Sequence, residues 1–210
     1  LRRDGNGVPQ PLRVDSTFSA RRVAAYAEAT WRPREQWRVT GGLRADRYAW
    51  IGNAVYLSPR LSVARDVSSA TTVTATFGRT IQPPPFIWQV GDPTNGVLRP
   101  WRADQATLGV RTRRGSTTLQ VEGYLKRYRD YPIRLFRRQE VLTPSGFEDA
   151  LDDIPFGLEP LRSSGRGRAW GLELLAQRRL DNLPVYGLAS LTLARARFTA
   201  LFTEATVVSS

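Results

Sequence analysis

Apolar and polar residues alternate strictly along three segments near the middle of the chain, at residues 71–80, 104–113 and 117–130. In the first of these, apolar residues from Val73 to Phe77 are separated by threonines. Because successive side chains of a β-strand point to opposite faces, each segment predicts a strand with one apolar face and one polar face.

Five further segments share this alternation. The first of them, at residues 18–31, is rich in alanine, so an α-helix is an alternative there. Together the alternating segments predict eight strands. They are residues 18–31, 37–48, 58–66, 71–80, 104–113, 117–130, 165–179 and 185–199.

The linkers between the predicted strands alternate in length. Short turns are predicted at 32–36, 66–70, 113–116 and 181–184, and longer loops at 50–57, 81–103 and 131–164. The last loop contains an acidic patch from Glu148 to Asp153, for which we expect a solvated loop, with a short helix as the alternative. An up-and-down arrangement places all short turns on one rim and all long loops on the other. The sequence therefore predicts an all-β fold, a fragment of an antiparallel up-and-down transmembrane β-barrel.

The composition argues against catalysis and against a bound metal. The chain has no His and no Cys, so Cys/His metal sites and His-based catalytic triads are excluded. Glu122 and Glu173 form a candidate carboxylate pair, which we interpret as inward-facing acids neutralised by arginines such as Arg111. We expect a protein that is not an enzyme, with no catalytic residue, metal or cofactor.

The chain is strongly basic, with a formal net charge of +12, and Lys126 is its only lysine. The arginines are spread along the whole chain, without a nucleic-acid-binding motif. An anionic ligand or the phosphates of lipopolysaccharide would complement this charge. We expect no nucleic-acid partner. The alternative is a soluble, basic β-protein that binds nucleic acid.

Five segments, in order along the chain, resemble the barrel of TonB-dependent outer-membrane receptors. They are Leu57-Ser-Pro-Arg-Leu-Ser62, Phe77-Gly-Arg-Thr-Ile-Gln-Pro-Pro-Pro-Phe86, Leu98-Arg-Pro-Trp-Arg-Ala-Asp-Gln-Ala-Thr-Leu-Gly109, Gly165-Arg-Gly-Arg-Ala-Trp-Gly-Leu-Glu173 and Ala189-Ser-Leu-Thr-Leu-Ala-Arg-Ala-Arg-Phe-Thr199. The family barrel has about 22 strands, and an N-terminal plug domain contacts TonB. The chain resembles the central part of such a barrel, without the plug domain or the C-terminal strand.

This resemblance implies a location in the bacterial outer membrane and a function in TonB-dependent uptake of a scarce ligand. The ligand classes that it implies are a siderophore, a cobalamin-like compound and a glycan. The implied partners are outer-membrane lipid and lipopolysaccharide, the small-molecule ligand, and the TonB complex through a plug domain. The alternative is a small, self-closed, eight-stranded barrel with a structural or adhesive role.

In the family, aromatic and arginine residues of the outer loops and inner wall contact the ligand. The resemblance therefore implies ligand-binding roles for Arg44, Asp46, Tyr48, Gln82, Phe86, Trp88 and Trp101. For each of these residues, packing within the loops is the alternative role.

Aromatic residues near the predicted strand ends form a second candidate set. Amphipathic rings prefer the membrane interface, and the alternative is the core of a soluble β-domain. The candidates are Trp31, Trp37, Trp170 and Tyr186.

Overall fold

In the computed structural model, most of the chain forms one antiparallel sheet of nine strands, and two short strands form a separate pair. The described residues are 17, 20–52, 54–135, 159–180 and 185–199, and the strand backbone at 2–3, 9–10 and 206–209. The strands are β1 Arg2–Arg3, β2 Pro9–Gln10, β3 Arg22–Trp31, β4 Trp37–Tyr48, β5 Val55–Asp66, β6 Thr71–Gln82, β7 Trp101–Arg114, β8 Thr117–Arg134, β9 Leu161–Arg178, β10 Gly187–Thr199 and β11 Thr206–Ser209.

Each strand of the large sheet pairs with its neighbours in sequence, in the order β11-β10-β9-β8-β7-β6-β5-β4-β3, and every pairing is antiparallel. Strands β3 to β10 therefore confirm the predicted up-and-down fold of eight strands, and the alanine-rich first segment is a strand. In the described part of the chain the sheet is open, with β3 and β11 at its edges. A self-closed eight-stranded barrel is not what the structure shows.

The strand register collects the apolar side chains on one face. One row across five strands consists of Val73, Val110, Val121, Leu174 and Leu191. Val110, Val121 and Leu191 are each at least 40% exposed. Such a wide exposed apolar surface suits contact with lipid, and we call it the outward face.

The apolar band on the outward face has the height of a bilayer core. On β9, Arg168 and Arg178 flank the apolar outward side chains. Ten residue steps of about 3.4 Å, at a strand tilt of about 40°, span a height of about 26 Å. The apolar band of outer-membrane barrels is about 25 Å tall, so β9 is long enough to cross.

The opposite, inward face is polar, and its threonines pair across neighbouring strands. The hydroxyls of Thr30 and Thr40 lie 3.0 Å apart, and Thr76 forms the same type of hydrogen bond with Thr107. Cross-strand threonine pairs of this type stabilise an antiparallel register.

The turns and loops are more regular than the sequence indicates. The β7–β8 turn consists of Gly115 and Ser116 alone, because Gly115 has a φ of +54° that suits the first position of a tight hairpin. The loop predicted at 81–103 contains α1, Phe86–Gly91, and a 3-10 helix, Pro93–Val97. Among the described residues, no helix is long and apolar enough to cross a membrane.

Strands β5 to β9 are longer than predicted at the long-loop end, whereas β3 begins at Arg22 and not at residue 18. Strand β7 begins at Trp101 instead of residue 104, so Trp101 is a strand residue and not a loop residue. Strand β8 continues to Arg134, and β9 begins at Leu161. The acidic patch at 148–153 lies outside the described residues.

We expect Gly171→Ala to reduce folding of the barrel. A Cβ on Gly171 would lie 2.7 Å from both the Leu193 carbonyl oxygen and the Tyr124 ring. Such overpacking costs about 1–3 kcal/mol. The measurement is the folded fraction after refolding in detergent, read from migration on unheated SDS gels. Gly41→Ala is the matched control, because a Cβ there meets nothing within 4 Å. Equal folded fractions for the two variants would contradict the prediction.

Candidate ligand-binding surface at the long-loop end

Alternation along β4 places Arg44, Asp46 and Tyr48 together on the inward face, close to the long-loop rim. Asp46 is 4% exposed and accepts hydrogen bonds from Arg22 Nη2 at 2.8 Å and from Arg44 Nε at 2.7 Å. A buried carboxylate is stable only when paired in this way. We call Arg22, Arg44 and Asp46 the Asp46 cluster.

Aromatic rings connect the Asp46 cluster to the loop that carries α1. The ring of Tyr48 is fully buried and lies 5.3 Å from that of Trp50, with the Arg22 guanidinium above it. The ring of Trp50 in turn lies 4.9 Å from that of Phe86, at the start of α1. This chain of contacts fixes the loop relative to the inner wall of the sheet.

The rest of this loop is held by a small apolar core and one asparagine. Trp88 stacks on Trp101 with a centroid distance of 5.8 Å, and Trp88 packs with Leu98 and Leu161. Asn95 is fully buried. Its side-chain amide donates to the Trp88 and Glu159 carbonyl oxygens at 2.8 and 2.9 Å, and its Oδ1 accepts from the Leu161 amide at 2.7 Å.

The structure divides the seven sequence-predicted ligand residues by accessibility. Arg44, Gln82 and Phe86 are accessible: the Arg44 side chain is 35% exposed and Phe86 is 37% exposed. The others belong to the packed frame: Asp46, Tyr48 and Trp88 are buried, and Trp101 is half-buried. The ligand-binding roles of all seven residues stay predictions.

Sequence reasoning missed the residues that complete the frame, namely Arg22, Trp50 and Asn95. Arg22 reaches Asp46 because β3 and β4 pair with Arg22 opposite Tyr48, which the sequence alone does not reveal. Asn95 lies in a run of turn-forming residues, so its type indicated only a loop.

A cavity of about 330 Å³ also lies along strands β3 to β7. Its inward-facing lining includes Glu28, Thr40, Arg60, Thr76 and Gln105. Such a lining suits the water-filled interior of a transmembrane barrel.

The surroundings of the candidate carboxylate pair on the inward face differ from those expected. Glu122 and Glu173 lie directly opposite each other on β8 and β9. Arg111, expected to neutralise them, instead donates to the Gln120 side chain at 3.0 and 2.8 Å. Among the described residues, no cluster of acidic groups is arranged to hold a metal ion.

Three of the four predicted interface aromatics lie at the short-turn rim. Trp31 and Trp37 point outward there, and the Trp37 ring lies 5.1 Å from the Arg65 guanidinium. Tyr186 is 75% exposed just before β10. Trp170 also points outward, but it lies within β9 on the long-loop side of the apolar band, because β9 extends well past it.

An up-and-down sheet with a lipid-facing outer surface, a polar inner surface and one rim of long loops forms the wall of an outer-membrane β-barrel. A family model described as "TonB dependent receptor-like, beta-barrel" matches residues 2–208. The chain therefore belongs to this family of bacterial outer-membrane proteins and represents part of its barrel.

Solved structures show the same fold at low sequence identity. The FrpB iron transporter from Neisseria meningitidis is 15% identical with a TM-score of 0.60, over 85% of this chain and 26% of that chain. The copper transporter OprC is 19% identical with a TM-score of 0.60, over 84% and 28%. The ferripyoverdine receptor of Pseudomonas aeruginosa is 13% identical with a TM-score of 0.62, over 85% and 23%.

The chain thus spans about a quarter of the length of these three solved structures. A search of the curated proteins found no match.

We expect Asn95→Leu to detach the loop at 83–100 from the sheet. The change leaves two buried carbonyl oxygens and one buried amide without their Asn95 partner, at about 1–3 kcal/mol for each group. The measurement is the rate of limited proteolysis within this loop, in protein whose barrel is folded on unheated gels. Val97→Ala is the control, because Val97 is 82% exposed. Equal cleavage rates in the two variants would refute the role of Asn95.

Proposed function

We propose that the chain forms part of the wall and outer loops of a receptor for TonB-dependent uptake of a scarce ligand across the outer membrane. The observation that carries this proposal is the separation of buried from accessible side chains at the long-loop rim. At that rim three side chains are accessible beside the buried groups, namely Arg44 and Gln82 on the inward face of the sheet and Phe86 at the start of α1. Binding groups held on a rigid frame keep a fixed geometry.

The accessible groups favour a siderophore over a cobalamin-like compound or a glycan. Arg44 offers donors to anionic oxygens, which a ferric siderophore carries, and Phe86 offers an apolar ring. The similarity to structures described as an iron transporter and a ferripyoverdine receptor supports the same class.

The partners of the whole protein follow from the same proposal. A plug domain in the barrel connects ligand binding to the TonB complex, which supplies the energy for release. Lipid and lipopolysaccharide surround the outward face. This chain contributes no catalytic step, because its role is to bind and to enclose the ligand.

Energy-dependent uptake tests the function directly. Host cells with and without the gene are supplied with a labelled ferric siderophore, a labelled cobalamin or a labelled glycan. We expect the gene to be required for uptake of the ferric siderophore, and a protonophore to abolish that uptake. Uptake of all three compounds that is unchanged by gene deletion would refute the proposal. Uptake that persists with the protonophore would indicate passive diffusion instead.

We expect Arg44→Gln to weaken siderophore binding to the intact receptor by about tenfold, the factor for one charge-assisted hydrogen bond. The measurement is equilibrium binding in detergent, with folding checked on unheated gels. Arg38→Gln is the matched control, because Arg38 has the same charge, the same strand and the same inward face but lies near the short turn. A similar loss of affinity in both variants would exclude a specific contact by Arg44.

A further inference from the structure

The short-turn rim carries a dense positive charge. It consists of the turns that join β3 to β4, β5 to β6, β7 to β8 and β9 to β10, together with two strand residues on either side of each turn. Its described residues include two acids, Glu35 and Asp66, and eight arginines. We call the eight the arginine rim: Arg32, Arg34, Arg38, Arg65, Arg113, Arg114, Arg178 and Arg179.

The arginine rim is not neutralised by the acids beside it. Seven of its members are exposed, and Arg178 is half-buried. Within the part of the chain that the structure describes, none of the eight forms a salt bridge. Asp66 instead accepts a hydrogen bond from the Thr72 hydroxyl at 2.6 Å, and the Arg65 guanidinium lies 5.1 Å from the Trp37 ring. The rim therefore keeps its positive charge for a partner.

Much of this charge faces water and not lipid. Trp31 and Trp37 point outward at the β3–β4 turn, and amphipathic rings mark the membrane interface. Arg32 and Arg34 lie in the turn between these two rings, and so beyond the interface. Alternation along β7 places Arg113 on the inward face, at the mouth of the barrel. Because the short turns of a transmembrane barrel face the periplasm, the partner of these arginines approaches from the periplasm.

The arginine rim forms an arc and not a pocket. Its members come from all four turns of the rim, and the fully described turns are short, at residues 32–36, 67–70 and 115–116. From β3 to β9 the arc covers six strand spacings, which is about 30 Å along the sheet. Such an arc suits an extended partner with repeated negative charges, whereas a compact anion would contact only a few of the arginines.

We propose that the arginine rim binds peptidoglycan through the carboxylates of its peptide side chains. Peptidoglycan is an extended polymer of the periplasm in which these carboxylates recur, as the arc requires. The planar guanidinium of arginine binds a carboxylate through two parallel hydrogen bonds. One exposed pair of this kind contributes little, but several pairs engaged together on one polymer give a much higher affinity.

The peptidoglycan site is separate from the proposed uptake function. Neither the family match nor the similar structures assign a partner to this rim. The proposal depends on the short turns facing the periplasm, and not on which ligand the receptor imports. Uptake of the ligand and binding to peptidoglycan can therefore fail independently, and each has its own measurement.

The first test uses the unaltered intact receptor, purified in a neutral detergent. It is sedimented with purified peptidoglycan sacculi, and with sacculi whose carboxylates have been converted to amides. We expect amidation to weaken binding at least about tenfold, because contacts that act together are lost together. We also expect added salt to weaken binding to the untreated sacculi. Equal binding to the two kinds of sacculi would overturn the proposal.

A variant locates the binding on the arginine rim. It combines Arg32→Gln, Arg34→Gln, Arg113→Gln and Arg114→Gln. We expect its affinity for untreated sacculi to fall at least about tenfold. The control removes the same charge from exposed, outward-facing arginines on the long-loop side of the apolar band, and we expect it to bind sacculi as the unaltered protein does. It combines Arg127→Gln, Arg168→Gln, Arg195→Gln and Arg197→Gln. An equal loss in both proteins would show attraction to net charge alone and would overturn the assignment.

A competition experiment distinguishes peptidoglycan from the phospholipid of the inner leaflet. Micelles of short-chain phosphatidylglycerol are added to the complex with sacculi, and micelles of short-chain phosphatidylcholine serve as the control. At a phosphate concentration equal to that of the sacculus carboxylates, we expect neither lipid to displace the receptor. Displacement by phosphatidylglycerol alone would show a site for lipid phosphate and would overturn the peptidoglycan assignment. If the rim variant does not fold on unheated gels, the comparison of the two kinds of sacculi still decides.

Discussion

The constraint on which the structure depends is that backbone polar groups within hydrocarbon must be paired inside the protein. Continuous antiparallel pairing from β3 to β10 meets this requirement for the interior strands. Strand β3 has one neighbour among the described strands, so its other edge needs a further strand in a bilayer. An open sheet is therefore understandable as a segment of a larger closed wall, which fits a chain that spans about a quarter of its solved relatives.

The same pairing determines both surfaces at once, because a slip of one residue would exchange the inward and outward side chains. Small inward residues on β9 help to hold that register. A Cβ on Gly167 would lie 2.2 Å from the Phe198 ring, and one on Gly171 would meet Tyr124. Aromatic rings from both neighbouring strands thus cover glycines that no other residue type could replace without displacement.

The sequence predicted those features that depend on local periodicity. Alternation from Val73 to Phe77 was sufficient to place a strand and its lipid-facing side, because a period of two has one structural meaning. The α1 helix was missed, since six residues after Pro85 are too few to show a helical period. Asn95 was missed because two of its three partners, Glu159 and Leu161, are more than 60 residues away. Contacts of this type arise from tertiary packing and have no local signal.

The two rims of the wall are built differently, and this difference follows from strand length. Strands β8 and β9 each have 18 residues, more than the 9–11 that a crossing requires. Their surplus continues past Arg127 and Arg168 and supports the loop at 83–100 through Asn95, while Arg99 donates to the Ser163 carbonyl oxygen. The outer loop therefore rests on the paired strands as well as on Trp50 of the neighbouring loop. Trp88 of α1 packs on Leu161 of this extension, so the position of the loop helix depends on strand pairing that continues beyond the apolar band.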